Sequence, residues 1–485
     1  MKTHKIFFCL KVFLSICFAA ATKVATAQIY VDIDATGNND GSSWTNAYTA
    51  LQPALDQAAS LGNQEVWVAQ GTYKPTEIPD DYAPVGLAPP SSPGFSIPSV
   101  EAPSDREKSF HFSTDLKLYG GFDATETLLS ERADTLGLTT ILSGDFNDND
   151  TFAIHSTGSS YDARTSGYVN NSGDDNAYHV LITRHLSTAS RIDGFTVRGG
   201  HADDTGFTTY LNSGFFNRYG AGFSLYQSSV HINQCVFTEN LAQRGGGMYA
   251  SRAKPKFTHC SWSRNVALSY APTYNYYNGF GGGLELNETQ ADVSKCRFSE
   301  NRSANQGGAL FISDGNISSD TLHILDCWFS ENTAYNDGGA MYVYQSSSAS
   351  PLNVSFVNAV VERNRTGNSG SIYVDRANVA LINSSVLGNY NTLFLKNGAS
   401  ALVLNSIISS GNTSSRAIGL TASLTNATLK NSNVSGSFDN SGTFYTNYGT
   451  ITDGGGNINK DPLFADPANG DLSLMACSPS INAGT

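Results

Sequence analysis

The tetrapeptide Phe/Trp-x-x-Asn recurs four times, and a glycine run ending in Met or Leu follows each copy within one loop: FTEN at 237 with GGGM at 245, WSRN at 262 with GGGL at 281, FSEN at 298 with GGAL at 307, FSEN at 329 with GGAM at 338. A unit of this size cannot bury an apolar face alone, so tandem copies must stack on one another as a solenoid. Cys235, Cys260, Cys296 and Cys327 each stand two residues before the aromatic (Phe237, Trp262, Phe298, Phe329). Residues i and i+2 of a strand share a face, so both columns are expected to point inward in coils of parallel strand. Asn240, Asn265, Asn301 and Asn332 end that strand, where Asn turns the chain and stacks its amide on the Asn of the next coil. The glycines admit positive φ or close backbone approach before the next strand opens. Weaker copies (VERN at 361, VLGN at 386, FTVR at 195 with GAGF at 220) extend the pattern to about eight coils between 190 and 412.

Residues 1–27 read as a signal peptide: Lys2 and Lys5 head the segment, an apolar run continues to Ala21, and Ala25-Thr26-Ala27 offers small residues for cleavage. Residues 28–76 read as an N-terminal cap and first coil, with a helix over 46–61 that stops at Gly62 and covers the open end of the core. A Pro/Ser-rich excursion over 77–107 precedes the β-helix proper at 108–412, interrupted by a polar excursion at 147–177. Terminal coils and a distinct tail occupy 413–485, and the tail's ending at Thr485 without helix, cap or charged residue suggests a truncated product.

The leader carries four of the 29 basic residues and no acid, which leaves 25 against 42 acidic, a net −17, in the processed chain. Such a surface argues against nucleic acid and against unassisted binding of uronate polymers. No segment beyond the leader approaches the length of a membrane-spanning helix. Five cysteines remain after cleavage, an odd number, and the Cys column continues as Ala359, Ser384 and Ser406. A small inward side chain is what this column needs, so unbridged thiols are expected, with Cys477 alone in the tail.

The GGGM/GGGL/GGAL/GGAM runs paired with FTEN and FSEN resemble the repeat of chlamydial polymorphic outer membrane proteins. The opening VDIDATGNNDGSSWTNAYTALQPALDQA with EVWVAQGTYKPT, and the closing DPLFADPANGDLSL with SPSINAG, resemble large secreted right-handed parallel β-helix proteins of environmental bacteria. The resemblance implies an all-β, pectate-lyase-like right-handed parallel β-helix with a short N-terminal capping helix. It also implies a place on the outer surface of a bacterium or outside it. The chlamydial proteins end in a membrane β-barrel, and no such region is present here. β-Helices host adhesins, lyases and hydrolases alike, so the fold does not choose the function.

Chemistry is expected where coils differ most. The loop after FTVR (199–219) and the loop after WSRN (266–280) are long, leave the same corner two coils apart, and flank the short loop 241–244. They would stand about 10 Å apart and make a cleft. Tyr210, Tyr219, Tyr274, Tyr276 and Tyr277 are its candidate ligand-binding residues, because apolar sugar faces stack on rings while hydroxyls take polar partners. Asp203, Asp204, Arg218 and Arg244 lie among them as weak catalytic candidates: hydrolysis needs two facing acids and a lyase needs a base. No cofactor is expected. The acid-rich turns at 32–40 and 144–150 carry calcium-type ligands without a loop motif, and His201, His231 and His259 lack metal-ligand spacing. The expected role is structural or adhesive, with polysaccharide as partner. A polysaccharide lyase or glycoside hydrolase in the same cleft is the alternative.

Overall fold

The computed structural model describes residues 28–62, 64–79, 104–132, 139–154, 166–169, 172–204, 206–211, 213–268, 279–314, 321–346, 352–388, 392–410, 417–421, 424–435, 449–467 and 470–481. The chain winds as a right-handed parallel β-helix. One coil gives the path. Met248–Ser251 lies in a ten-stranded sheet, Lys256–Thr258 in a thirteen-stranded sheet and Ser261–Ser263 in a sixteen-stranded sheet; these are the third, first and second sheets below. Val266–Ala267 adds a rung to a short ladder that merges with the second sheet through Val360–Thr366, and Leu284–Asn287 re-enters the third sheet. Register is strict, with Phe237, Trp262, Phe298 and Phe329 aligned across four coils.

The corners show why the repeat has its form. The left-handed residue at each is not the Asn but the one before it: Glu239, Arg264, Glu300 and Glu331 have φ of 55°, 57°, 56° and 58°. That bend turns the following Asn inward, where it is fully buried. Asn240, Asn265, Asn301 and Asn332 each donate Nδ2 to Oδ1 of the next, at 3.0, 3.0, 2.9 and 2.9 Å, with Asn364 as the fifth rung. An amide both donates and accepts, so one residue type can fill every rung. A second left-handed corner precedes each Cys, at Gln234, His259, Lys295 and Asp326. There each thiol donates to the carbonyl two residues back, at 3.2 to 3.4 Å. Ser384 and Ser406 make the same bond with a hydroxyl, at 2.9 and 2.8 Å. Cys235, Cys260, Cys296 and Cys327 are buried and unbridged, and burial pushes the Cys235 and Cys296 thiols up. The column is thus a line of small side chains in one inner corner, hydrogen-bond donors at each Cys and Ser and a methyl at Ala359.

Lys295 tests the corner chemistry, because it is exposed and holds φ at 54°. A β-branched side chain is a genuine outlier there, whereas Gly is unstrained. Lys295→Ile should cost about 1 to 2 kcal/mol and Lys295→Gly should cost nothing or stabilise slightly. Equal urea midpoints for the two variants would show that the backbone at this corner is unstrained.

The inner aromatics stack face to face, with Trp262 and Phe298 at 4.7 Å and 5°, and Phe298 and Phe329 at 4.7 Å and 2°. A single apolar core follows them along the solenoid. The helix Leu51–Leu61 covers its N-terminal end, burying Leu51, Ala54, Leu55 and Ala58. Each leucine buried there contributes about 2 kcal/mol. The helix begins five residues later than expected, because Tyr48 is held in a backbone bridge to Val31 and cannot join it. In the tail, Phe464–Asp466 and Asp471–Leu474 form an antiparallel hairpin.

Candidate functional site

The loop over 199–219 does not rise freely from the coil. It begins with His201–Ala202, a rung of the short ladder, and then folds back as the hairpin Phe207–Tyr210 with Ser213–Phe216. Tyr210 is 8% exposed and packs with Ile182 and Phe215, its ring 5.2 Å from that of His111. It braces the hairpin against the solenoid. Tyr270, Tyr274, Tyr276 and Tyr277 lie outside the described residues, so this wall of the expected cleft is represented by its base, Gly279 and Phe280.

Tyr219, Arg244 and Phe280 are consecutive rungs of one parallel bridge column. Stacking places them about 4.8 Å apart, and around them the outer face of the third sheet forms a platform of half-buried rings. Tyr219 lies 4.9 Å from Phe216 and 5.1 Å from Tyr249. The Arg244 guanidinium sits over Tyr219, Tyr249 and Phe280 at 5.1, 5.7 and 5.5 Å. Beneath, it is held by Glu285, which is fully buried, through two hydrogen bonds, Nε to Oε2 at 3.0 Å and Nη2 to Oε1. Burial alone would lower the affinity of Arg244 for its proton. The Glu285 carboxylate and Tyr249 outweigh that and hold the guanidinium charged. Arg218 lies over Phe216 and Tyr219 at 5.1 and 5.4 Å. It makes no ion pair among the described residues, and its Nε is buried without a partner. From Phe280 the rings continue along the solenoid through Phe311, Tyr342, Tyr373 and Phe394, with centroids 4.6 to 5.4 Å apart. The middle three spend their faces on one another and are buried. Half-buried rings stand at both ends of this run, at Phe216 and Tyr219 on one side and at Phe394 on the other.

The acidic candidates join a different group. Asp203 pairs with Arg106 at 2.7 Å and faces His201 Nε2 at 3.7 Å. Arg106 also donates to the carbonyls of Asn176 and His201, at 2.7 Å each, and lies 4.3 Å over the Tyr178 ring. Asp204 accepts from the Gly206 amide at 3.0 Å and from Asn217 Nδ2 at 3.4 Å. Arg218 and Arg244 thus lie on the rings and Asp203 on Arg106, while Asp204 is held inside the hairpin by Gly206 and Asn217. Arg106 and Glu107 were not singled out by sequence reasoning, since they stand at the edge of an aperiodic excursion. Burial pushes the Glu107 carboxyl up, with the Asp204 charge adding to it.

Carboxylates of the two acid-rich turns take partners both within the turns and from Lys74 and Asn176 beside them. Asp145 accepts from the amides of Asn147, Asn149 and Asp150, Asp148 pairs with Lys74 at 2.7 Å, and Asp40 accepts from Ser42. Burial, against a hydrogen bond from Asn176 and with help from nearby Asp145 and Asp175, pushes Asp150 up to about 7. Among the described residues no group of three or more His, Cys, Asp or Glu is arranged to hold a metal ion. Nor is any helix among them long and apolar enough to cross a membrane.

The family model described as "Right handed beta helix region" matches residues 194–369. Among curated proteins none matches the chain. Similar solved structures include pectate lyase Pel9A, at 13% identity over 94% of this chain and 91% of that one, with a TM-score of 0.35. A tailspike protein, gp49 from Acinetobacter baumannii bacteriophage Fri1, a capsular polysaccharide depolymerase, is similar at 8% identity over 89% and 64%, with a TM-score of 0.29. The A-module of the Azotobacter vinelandii mannuronan C-5 epimerase AlgE4 is similar at 10% identity over 89% and 97%, with a TM-score of 0.27. At such scores the fold assignment rests on the strand register of this chain and on the family match.

Proposed function

We propose that this chain is a secreted, cell-surface β-helix of the polymorphic outer membrane repeat kind, with an adhesive or structural role, which binds a neutral glycan at the corner platform. The observation that carries this reading is Arg218, a donor without an ion-pair partner, lying across half-buried Phe216 and Tyr219. Sugar rings present apolar faces to aromatics and hydroxyls to such a donor. Arg244, fixed from below by Glu285, keeps the platform rigid, so little ordering is required when a ligand arrives. Tyr274, Tyr276 and Tyr277 belong, on this reading, to the facing wall.

A glycan array with residues 28–485, scored for binding and for cleavage, tests it. Tyr219→Ala and Arg218→Ala should each weaken binding to the recognised glycan by about tenfold, roughly 1.4 kcal/mol. Tyr274→Ala with Tyr276→Ala should act in the same direction. Undiminished binding by all of these variants would remove the platform from recognition.

The second reading, hydrolysis or lyase chemistry, is favoured by one observation: Glu107, whose carboxyl is raised, stands within electrostatic reach of Asp204. A carboxyl that burial inclines to keep its proton can serve as the acid of such chemistry. Glycan cleavage by the native chain that Glu107→Gln abolishes would establish it in place of the binding reading.

A further inference from the structure

A groove of about 620 Å³ lies on the outer face of the first sheet, away from the corner platform. Its floor is one column of register partners, His231, Lys256, Asp292 and His323, and Lys254 stands beside it two residues before Lys256. Lys254 and Lys256 are both exposed, and neither forms an ion pair among the described residues. With a single acid, Asp292, among the lining groups, the groove has a local excess of one positive charge on a chain whose formal charge is −13.

His231 does not add to that charge. Arg191 Nη1 stands 2.9 Å from His231 Nδ1, and a guanidinium can only donate, so Nδ1 is the acceptor and Nε2 carries the proton. Nε2 donates to Thr258 Oγ1 at 2.7 Å, and that hydroxyl donates to Asn233 Oδ1 at 2.5 Å. Asn233 Nδ2 in turn donates to Asp193, which Arg132 and Arg191 also hold. This outer network locks the imidazole neutral, as one wall of a rigid floor. The remaining lining is Pro255 with hydroxyl and amide groups, among them Ser229, Gln290 and Thr321.

We propose that this groove binds a single anionic sugar unit, the two lysines taking its carboxylate or sulfate and the hydroxyl and amide groups taking its ring hydroxyls. A volume of 620 Å³ falls in the range of small-molecule sites and exceeds what an inorganic oxyanion fills. One surplus positive charge suits one anionic group, whereas a polyanion would meet the acidic remainder of the surface. The proposal does not rest on the corner platform.

Calorimetric titration of residues 28–485 with matched probes tests it: cellobiose, cellobiose carrying a carboxylate at one C6, cellobiose carrying a sulfate at that C6, and inorganic sulfate. Binding of at least one acidic disaccharide, about tenfold or more tighter than cellobiose or inorganic sulfate, is expected. Lys254→Gln with Lys256→Gln should abolish the preference, and both side chains are exposed, so the fold should persist as read by an unchanged melting temperature. Tyr219→Ala should leave it intact, which separates this site from the platform. Preference for the carboxylate identifies a uronate, and preference for the sulfate a sulfated sugar; either supports the groove. Equal binding of cellobiose or of inorganic sulfate, no binding of any probe, or a preference that survives the double lysine variant would overturn it.

Discussion

Asn301→Ala should lower the stability of the solenoid by about 3 kcal/mol, several times the effect of a surface truncation. The side chain is fully buried and takes part in four hydrogen bonds. Its Nδ2 donates to the Trp262 carbonyl and to Asn332 Oδ1, at 2.9 Å each, and its Oδ1 accepts from the Asn265 amide at 3.1 Å and from Asn265 Nδ2 at 3.0 Å. Alanine removes all four. Asn332 Oδ1 keeps the Asn301 amide and Asn265 Nδ2 keeps the Phe237 carbonyl. The Asn265 N–H and the Trp262 carbonyl are the groups that lose this partner inside the core, and each such loss costs about 1 to 3 kcal/mol. Asn368→Ala is the control. Asn368 stands exposed on an outer amide pair with Asn336, at 3.4 Å, where water replaces what is lost. Urea midpoints for the two variants should differ clearly; similar midpoints would mean that the inner ladder adds no more than the outer pair.

The ladder was legible in the sequence because a buried amide that must both donate and accept admits few substitutes, and it recurs as the same letter in each coil. Which residue carries the positive φ was not legible, since Glu, Arg, Gln, His, Lys and Asp all occupy the left-handed position and share no chemistry. The outer aromatic column had a signal that went unused. Tyr249, Glu285, Phe311 and Tyr342 each directly follow the Met or Leu that closes a glycine run, and strand alternation turns them outward where the Met or Leu turns in. Glu285 interrupts that aromatic series and is the residue that holds Arg244. Arg106, by contrast, reaches Asp203 across 97 residues of chain, a contact set by winding and by no local pattern. The first-sheet groove was invisible for the same reason: Lys256, Asp292 and His323 become neighbours only once the register is known.

Arg244→Ala should destabilise the chain by about 3 to 5 kcal/mol at neutral pH, because it leaves the Glu285 carboxylate buried with no cation. The loss should depend on pH in a definite direction. Even beside Arg244, burial holds the Glu285 carboxyl above its usual range, and in the variant only the upward push remains. A carboxyl whose folded pKa is raised keeps its proton in the folded state while the unfolded chain ionises. Below the unfolded value, about 4.3, it is neutral in both states and no charge penalty applies. The penalty grows as pH rises from there to the raised folded value and is constant above it. Arg244→Ala should therefore approach the native chain in stability near pH 4 and fall away toward pH 7, as read by paired denaturation curves. Replacing Glu285 as well should remove this pH dependence. Arg244→Ala with Glu285→Leu also removes the buried charge, and should recover part of the lost stability at pH 7. A single variant that loses the same stability at pH 4 as at pH 7 would show that Arg244 acts by packing over Tyr219, Tyr249 and Phe280, with no part in neutralising Glu285.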